Sequence, residues 1–310
     1  MGTLFEITVV VDKKAPYPKK AFKEAFAEIH RIEDLMSAWK SDNGLSKVNT
    51  NAGKMPVPVP RELIDIVLKA NEISELTNGK FDISFAALDG LWDFHSENPT
   101  PPKHQDILDR LPLIDYRSIL VNEKKNTIML NAEKMKISLG AIAKGYAVDR
   151  AALVLRKHQL NNFIIFGGGD LVVRGKKGNR HWRVGIQDPR TRSRYFVRFE
   201  PADNCAIVTS GDYEKFFISD NKRFHHILDT DTGYPVEDTV SVTIIAKTAT
   251  RADGVATGVF ALGPKKGMAL IESDPDLEGL IVDTDLNVHV SSGLKQRVAL
   301  TPINDPSRNP

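Results

Sequence analysis

The chain has 310 residues, 41% hydrophobic and 26% charged, with a net charge of +2. That length supports a large buried core, and the near-neutral balance gives no bulk electrostatic case for nucleic acid or an anionic membrane. One cysteine, Cys205, excludes an intramolecular disulfide framework and a multi-cysteine metal cluster, and no apolar run approaches the roughly 20 residues that span a bilayer.

Residues 4–11 are rich in β-branched side chains and read as a first strand. Residues 19–38 place Phe22, Phe26, Ile29, Ile32 and Met36 at helical spacing. Pro60 opens a second helix with Leu63, Ile66, Val67, Ala70 and Ile73 on its inner face, and Asn78-Gly79 stops it. Residues 96–106, with Pro99, Pro101 and Pro102, read as a loop. Residues 119–121 and 127–130 flank Lys124-Lys125-Asn126 as a hairpin. A β-rich run at 136–139 meets Gly140, and a helical pattern follows. Short strands are expected at 163–166, 171–173, 182–186, 195–199, 206–208 and 216–218. A strong strand at 240–246 leads to a helical pattern from Ala252, and strands at 280–282 and 288–290 close the sheet. Helices and strands come in blocks, which predicts an α+β fold with a largely antiparallel sheet, read as one domain over 1–310 with a tail at 304–310.

Several constellations can carry chemistry. At 138–149 a glycine and small residues lead into a helix with Lys144 near its start. A helix start of that kind aims N–H groups and a positive dipole end at one spot, which suits a phosphate; a close-packed turn is the alternative. Asp253 and Thr257 stand four apart, so on a helix their oxygens share a face. Two hard oxygen donors suit Mg²⁺, and the alternative is a helix start with Thr bonding back to a carbonyl. His225-His226 precede Ile227-Leu228-Asp229 at a strand edge, where one imidazole faces in and the other out. A histidine there is either a general base or a satisfied structural group. Thr209-Ser210-Gly211-Asp212 and Gly167–Asp170 read as polar turns, each an anion nest or only a turn. Phe81-Asp82-Ile83 and Leu91-Trp92-Asp93-Phe94 stack on a planar ligand or plug a core. Cys205, flanked by Ala206, Ile207 and Val208, reads as a core thiol. There is no Gly-x-Ser-x-Gly, His-Glu-x-x-His or Gly-x-Gly-x-x-Gly.

The order of these segments is more specific than any one of them. Met1-Gly2-Thr3, Phe81-Asp82-Ile83-Ser84, Leu91-Trp92-Asp93-Phe94, the run from Leu139 to Asp149, Gly168-Gly169-Asp170, Thr209-Ser210-Gly211-Asp212-Tyr213, His226-Ile227-Leu228-Asp229 with Thr232-Gly233, and Ala252-Asp253 with Thr257 recur together in one family. Over about 1–295 the chain resembles the FAD:protein FMN transferases, the ApbE family. The resemblance implies an α+β unit with a central FAD cleft and a Mg²⁺-dependent enzyme. Its substrate is FAD, its partner a target flavoprotein, often an electron-transfer subunit, whose Thr or Ser hydroxyl receives FMN while AMP leaves.

Carried over by residue, the resemblance places Met1, Trp39, Lys80, Phe81, Asp82, Ser138, Lys144 and Ile227 against FAD. It places the Ala141 carbonyl, Asp253 and Thr257 on Mg²⁺. His226 is the first candidate for general base and Asp229 the second. Two segments depart from the family pattern: Ser138 stands where Asp is common, and Asp229-Thr230-Asp231-Thr232-Gly233 stands where Asp-Pro-Arg-Thr-Gly is often seen. The alternatives are FAD pyrophosphatase, with water as acceptor, and a non-catalytic flavin carrier. Family members are commonly exported and lipid-anchored through a cysteine ahead of Met-Gly-Thr. The expectation is therefore an outward-facing, membrane-anchored full-length form, with a cytoplasmic form as the alternative.

Overall fold

The computed structural model describes residues 2–12, 16–38, 40–94 and 96–300. Met1, Trp39 and the expected tail at 304–310 lie outside the described residues.

The elements follow in chain order. Strand β1 (Phe5–Val9) leads to helices α1 (Lys19–Met36) and α2 (Gly44–Thr50). Strand β2 (Val57–Pro58) and helices α3 (Arg61–Leu76) and α4 (His104–Leu108) precede the hairpin β3 (Ile119–Asn122) and β4 (Thr127–Leu130). Helix α5 (Ala143–Lys157) opens a strand-rich half: β5 (Phe163–Gly167), β6 (Asp170–Arg174), β7 (Val184–Gln187), β8 (Tyr195–Phe199), β9 (Asn204–Gly211), β10 (Phe216–Ser219), β11 (Lys222–His225) and β12 (Thr239–Ala246). Helix α6 (Ala249–Ser273) returns over them, followed by β13 (Glu278–Asp283) and β14 (Val288–Val290).

Among the described residues the main sheet has seven strands in the order β1-β5-β6-β9-β12-β13-β14. Every neighbouring pair is antiparallel, as the blocked pattern of the sequence predicts. α5 and α6 lie side by side on one face of this sheet, and α1 packs on α5. Alternation along β6 divides its side chains: Val172 joins the core under the helices, while Leu171 and Val173 join the core on the other face with Phe196 and Val197 of β8. Asp170 shares the parity of Val172 and so faces the helices.

Two local readings change, and a third resolves to one of its alternatives. Residues 136–139 join no ladder. The side-chain amide of Asn49 donates to the Ile137 carbonyl (3.0 Å) and accepts its N–H (2.9 Å), and Ser138 N–H donates to the Ile83 carbonyl (2.8 Å), so the backbone is satisfied without a partner strand. Residues 209–211 are not a turn. They extend β9 alongside β12, where the Thr209 and Thr243 hydroxyls meet at 2.8 Å. The Gly168-Gly169 pair, both with positive φ, is the tight turn of the β5–β6 hairpin.

Candidate active site

α5 and α6 exchange caps. Ala141 lies in the turn before the N-cap Ile142, and no side chain of that turn closes the helix start. Instead Gly145 N–H in the first turn of α5 donates to Asp253 Oδ2 on α6 at 3.0 Å. In return Asp149 on α5 accepts the N–H groups of Ala249 (3.0 Å) and Thr250 (2.8 Å) and the Thr250 hydroxyl (2.6 Å) at the start of α6. Each carboxylate therefore sits at the positive end of the other helix. Gly145 makes the approach possible, because a Cβ there would run into the Ala249 carbonyl and lie 2.9 Å from Asp253 Cβ.

The same contact gathers charge. Lys144 Nζ lies 3.0 Å from Asp253 Oδ1 and 3.4 Å from Asp170 Oδ1. Asp170, arriving from the sheet, has no exposed surface, and neither of its oxygens receives a directed hydrogen bond. The Lys144 side chain is 26% exposed, so the lysine is the member of this trio that an incoming ligand meets. Burial, and then the Asp253 charge, push the Asp170 carboxyl well above the usual carboxylate range, with Lys144 opposing in part. Burial pulls Lys144 down, but Asp170 and Asp253 outweigh it and hold the ammonium above its ordinary range.

Thr257 follows Asp253 by one turn, and its hydroxyl donates to the Asp253 carbonyl at 3.2 Å. That bond uses the proton and leaves oxygen lone pairs for a cation. Among the described residues no group of three or more His, Cys, Asp and Glu is placed to hold a metal. A cation here would rest instead on few hard oxygens: one carboxylate, one hydroxyl and the Ala141 carbonyl at the junction that Asp253 caps. That donor set fits Mg²⁺, which takes one or two carboxylates and completes its shell with water and substrate phosphates.

The two histidines divide as strand alternation requires. His225 is buried: Nε2 lies 2.8 Å from the Val236 carbonyl, Nδ1 accepts the Ile227 N–H at 3.3 Å, and the ring stands edge-on to Phe260. It is a satisfied structural group. His226 is half-buried, with Nδ1 3.3 Å from the Lys215 carbonyl, a contact that puts the proton on Nδ1 and leaves the Nε2 lone pair unused. Burial, followed by the neighbouring His225, Lys215 and Lys144, pushes His226 down to about 4. Its ring is neutral near pH 7.

The other residues expected at the ligand separate into two groups. Ser138 is half-buried, and its Oγ accepts Gly140 N–H at 3.3 Å at the mouth of the junction. Lys80 lies 2.6 Å from Asp229 Oδ1 and 2.8 Å from Asp231 Oδ2. The Asp229 oxygen facing Lys80 also accepts Asp231 N–H at 2.8 Å. Asp229 is thus engaged, unlike His226 Nε2, and Lys80 meets a second carboxylate in Asp231.

Phe81, Asp82 and Ile227 are buried. Phe81 packs beneath Gly258 of α6, where an added Cβ would lie 3.1 Å from it. Asp82 accepts from Ser84 N–H (2.7 Å), Ser84 Oγ (2.6 Å) and Tyr116 N–H (2.8 Å), a turn-closing role. Met1 and Trp39 are outside the described residues. Trp92 stacks with Phe94 and Phe224 and donates to the Gly233 carbonyl at 3.0 Å, so this aromatic run plugs a core. Asp212 accepts from the two terminal guanidinium nitrogens of Arg190, at 2.7 and 2.9 Å. Cys205 is buried, and burial raises its thiol to about 11, an unreactive core group.

Sequence reading missed Asp170 and Asp149 as members of the site. The signals were present in Gly168-Gly169-Asp170 and at the end of the 138–149 run, but neither reveals its partner.

Known proteins resemble the chain over most of its length. The model of the ApbE family matches residues 1–281. An FAD:protein FMN transferase of Treponema pallidum is 31% identical over 96% of this chain and 86% of its own length, and one from Klebsiella pneumoniae is 30% identical over 90% and 86%. The crystal structure of the ApbE protein from Thermotoga maritima superposes with a TM-score of 0.85 at 31% identity, covering 95% of this chain and 98% of that one. The flavin transferase ApbE from Vibrio cholerae gives 0.85 at 28% identity over 96% of both. The chain belongs to the ApbE family.

Proposed function

We propose that the protein transfers the FMN moiety of FAD to a Thr or Ser hydroxyl of a target protein, releasing AMP. The observation that carries this reading is the Lys144–Asp253–Asp170 cluster set at the junction of two helices. The family and the names of the relatives supply the substrate class.

In the reaction the acceptor oxygen forms a bond to the FMN phosphorus. The bond from that phosphorus to the bridging oxygen breaks, and AMP leaves with that oxygen. The diphosphate repels an oxygen nucleophile. Lys144 offsets that charge from a site of low exposure, where a fixed cation acts more strongly than in water. Ala141, Asp253 and Thr257 would hold Mg²⁺, which supplies further positive charge to the phosphates when bound. His226 Nε2 takes the acceptor proton, while the Nδ1 contact with Lys215 fixes the ring. Lys80 and Ser138 border the same ligand. The target is a flavoprotein, and an exported, membrane-anchored location is part of the same proposal.

The test is incubation with FAD, Mg²⁺ and a Thr-containing target domain. Flavin retained on the target under denaturing conditions with stoichiometric AMP is expected. AMP without bound flavin would mean that water is the acceptor, and neither product would mean a flavin carrier.

A further inference from the structure

Asp170 has no task in the reaction just described. It opens β6, faces the helices and is fully buried, yet neither oxygen receives a directed hydrogen bond. A buried carboxylate so poorly partnered is costly unless another state satisfies it. Lys144 lies nearer to Asp253 (3.0 Å) than to Asp170 (3.4 Å). Asp253 Oδ2 is committed to the Gly145 N–H that joins α5 to α6. The oxygen that Asp253 has to offer a cation is therefore Oδ1, the one Lys144 occupies. A divalent ion and an ammonium on one carboxylate oxygen repel each other, and burial strengthens the repulsion.

We propose that Asp170 is the second seat of Lys144: when a divalent cation takes Asp253 Oδ1, the lysine ammonium moves onto Asp170. The inference rests on the reading of Asp253 as a metal ligand. The shift is short, because the ammonium already lies 3.4 Å from Asp170. It gives the Asp170 oxygens a donor, and it keeps Lys144 charged beside the diphosphate. Without Asp170 the lysine would have Asp253 alone and would compete with the metal for it. Asp170 is thus a positioning residue acting through Lys144, and its lack of exposed surface fits that role.

The experiment is calorimetric titration of Mg²⁺ into FAD-free and FAD-loaded protein without an acceptor. It compares wild type with Asp170→Asn, Asp253→Ala, Lys144→Met and the Asp170→Asn/Lys144→Met double variant. Asp170→Asn should weaken Mg²⁺ binding by about tenfold or more, and the same change in the Lys144→Met background should have little effect, since the competitor is gone. Equal weakening in both backgrounds would mean direct attraction of the ion by Asp170 and would overturn the proposal. If Asp253→Ala abolishes binding while Asp170→Asn binds like wild type, the seat is overturned and the metal site stands. If Asp253→Ala binds like wild type, or if wild type takes no Mg²⁺, the metal-site reading falls and the proposal with it. Should Asp170→Asn fail to fold, a wild-type structure with Mn²⁺ bound decides. Lys144 Nζ hydrogen-bonded to Asp170 supports the move, and Lys144 still on Asp253 Oδ1 overturns it.

Discussion

Asp149 and Asp253 cap each other's helices: Asp149 on α5 takes the first N–H groups of α6, and Asp253 on α6 takes the Gly145 N–H of α5. Each bond answers an end-of-helix donor with a charge at the favourable end of the dipole. The exchange also fixes where Asp253 stands before any ligand arrives, which is the condition for electrostatic preorganisation.

Gly145→Ala should be destabilising because the new methyl has no room against the Ala249 carbonyl. Separating α5 from α6 breaks the Asp253 cap and loosens core packing, a loss of about 2–4 kcal/mol. Asp149→Ala, which frees the α6 donors without steric conflict, should cost about 1–2 kcal/mol. Urea unfolding midpoints measure both, and a wild-type midpoint for Gly145→Ala would contradict the close contact.

His226→Ala should lower the transfer rate by about 10²- to 10⁴-fold while leaving FAD affinity near wild type. Separate equilibrium binding of FAD is needed to read this result. Wild-type transfer rates in the variant would assign the proton to another group.

The acid limb of kcat/KM should fall near pH 4, where His226 protonates, rather than near its ordinary 6.5. Stability carries the corresponding sign. A histidine whose folded value is depressed contributes stability that is present above its unfolded value and is lost as pH falls through 6.5 toward 4. Asp82, Asp149 and Asp170, raised by burial, act in the opposite sense, so the contribution is isolated by His226→Gln. That variant should lose less stability than wild type between about pH 7.5 and about pH 5.

Asp229→Asn should weaken the Lys80 contact and raise KM for FAD by several-fold more than it lowers kcat. Lys80→Met should do the same. A drop in kcat for Asp229→Asn comparable with that of His226→Ala would instead give Asp229 a part in proton removal. Steady-state kinetics on the three variants separates these outcomes.

Periodic segments were legible because their signal is local. The apolar spacing over 19–38 predicts a helix, and α1 spans Lys19–Met36; the blocked order of elements predicts the antiparallel sheet. Even there the buried face begins with Ala21 and Ala25 rather than Phe22 and Phe26, because α1 lies against α5 and small side chains permit that approach. Residues 209–211 read as a turn because they are polar, yet Thr209 meets Thr243 across the strands and both hydroxyls are satisfied. Residues 136–139 read as a strand because they are β-rich, yet Asn49 and Ile83 supply their partners. Hydropathy registers composition and is blind to a hydrogen bond closed from elsewhere in the chain.

By itself the sequence determined the helical and strand periods, the ordered motifs that mark the family, and the functional groups present at 144, 253 and 257. Tertiary structure alone decided which groups meet. Lys144 and Asp253 are 109 positions apart, Asp170 reaches them from a strand, His225 turns inward while His226 keeps one nitrogen unused, and Lys80 engages Asp229. The physical reason is that a local pattern sets which face of an element is buried, whereas the pairing of charges depends on how buried faces pack, and packing is settled between segments distant in the chain.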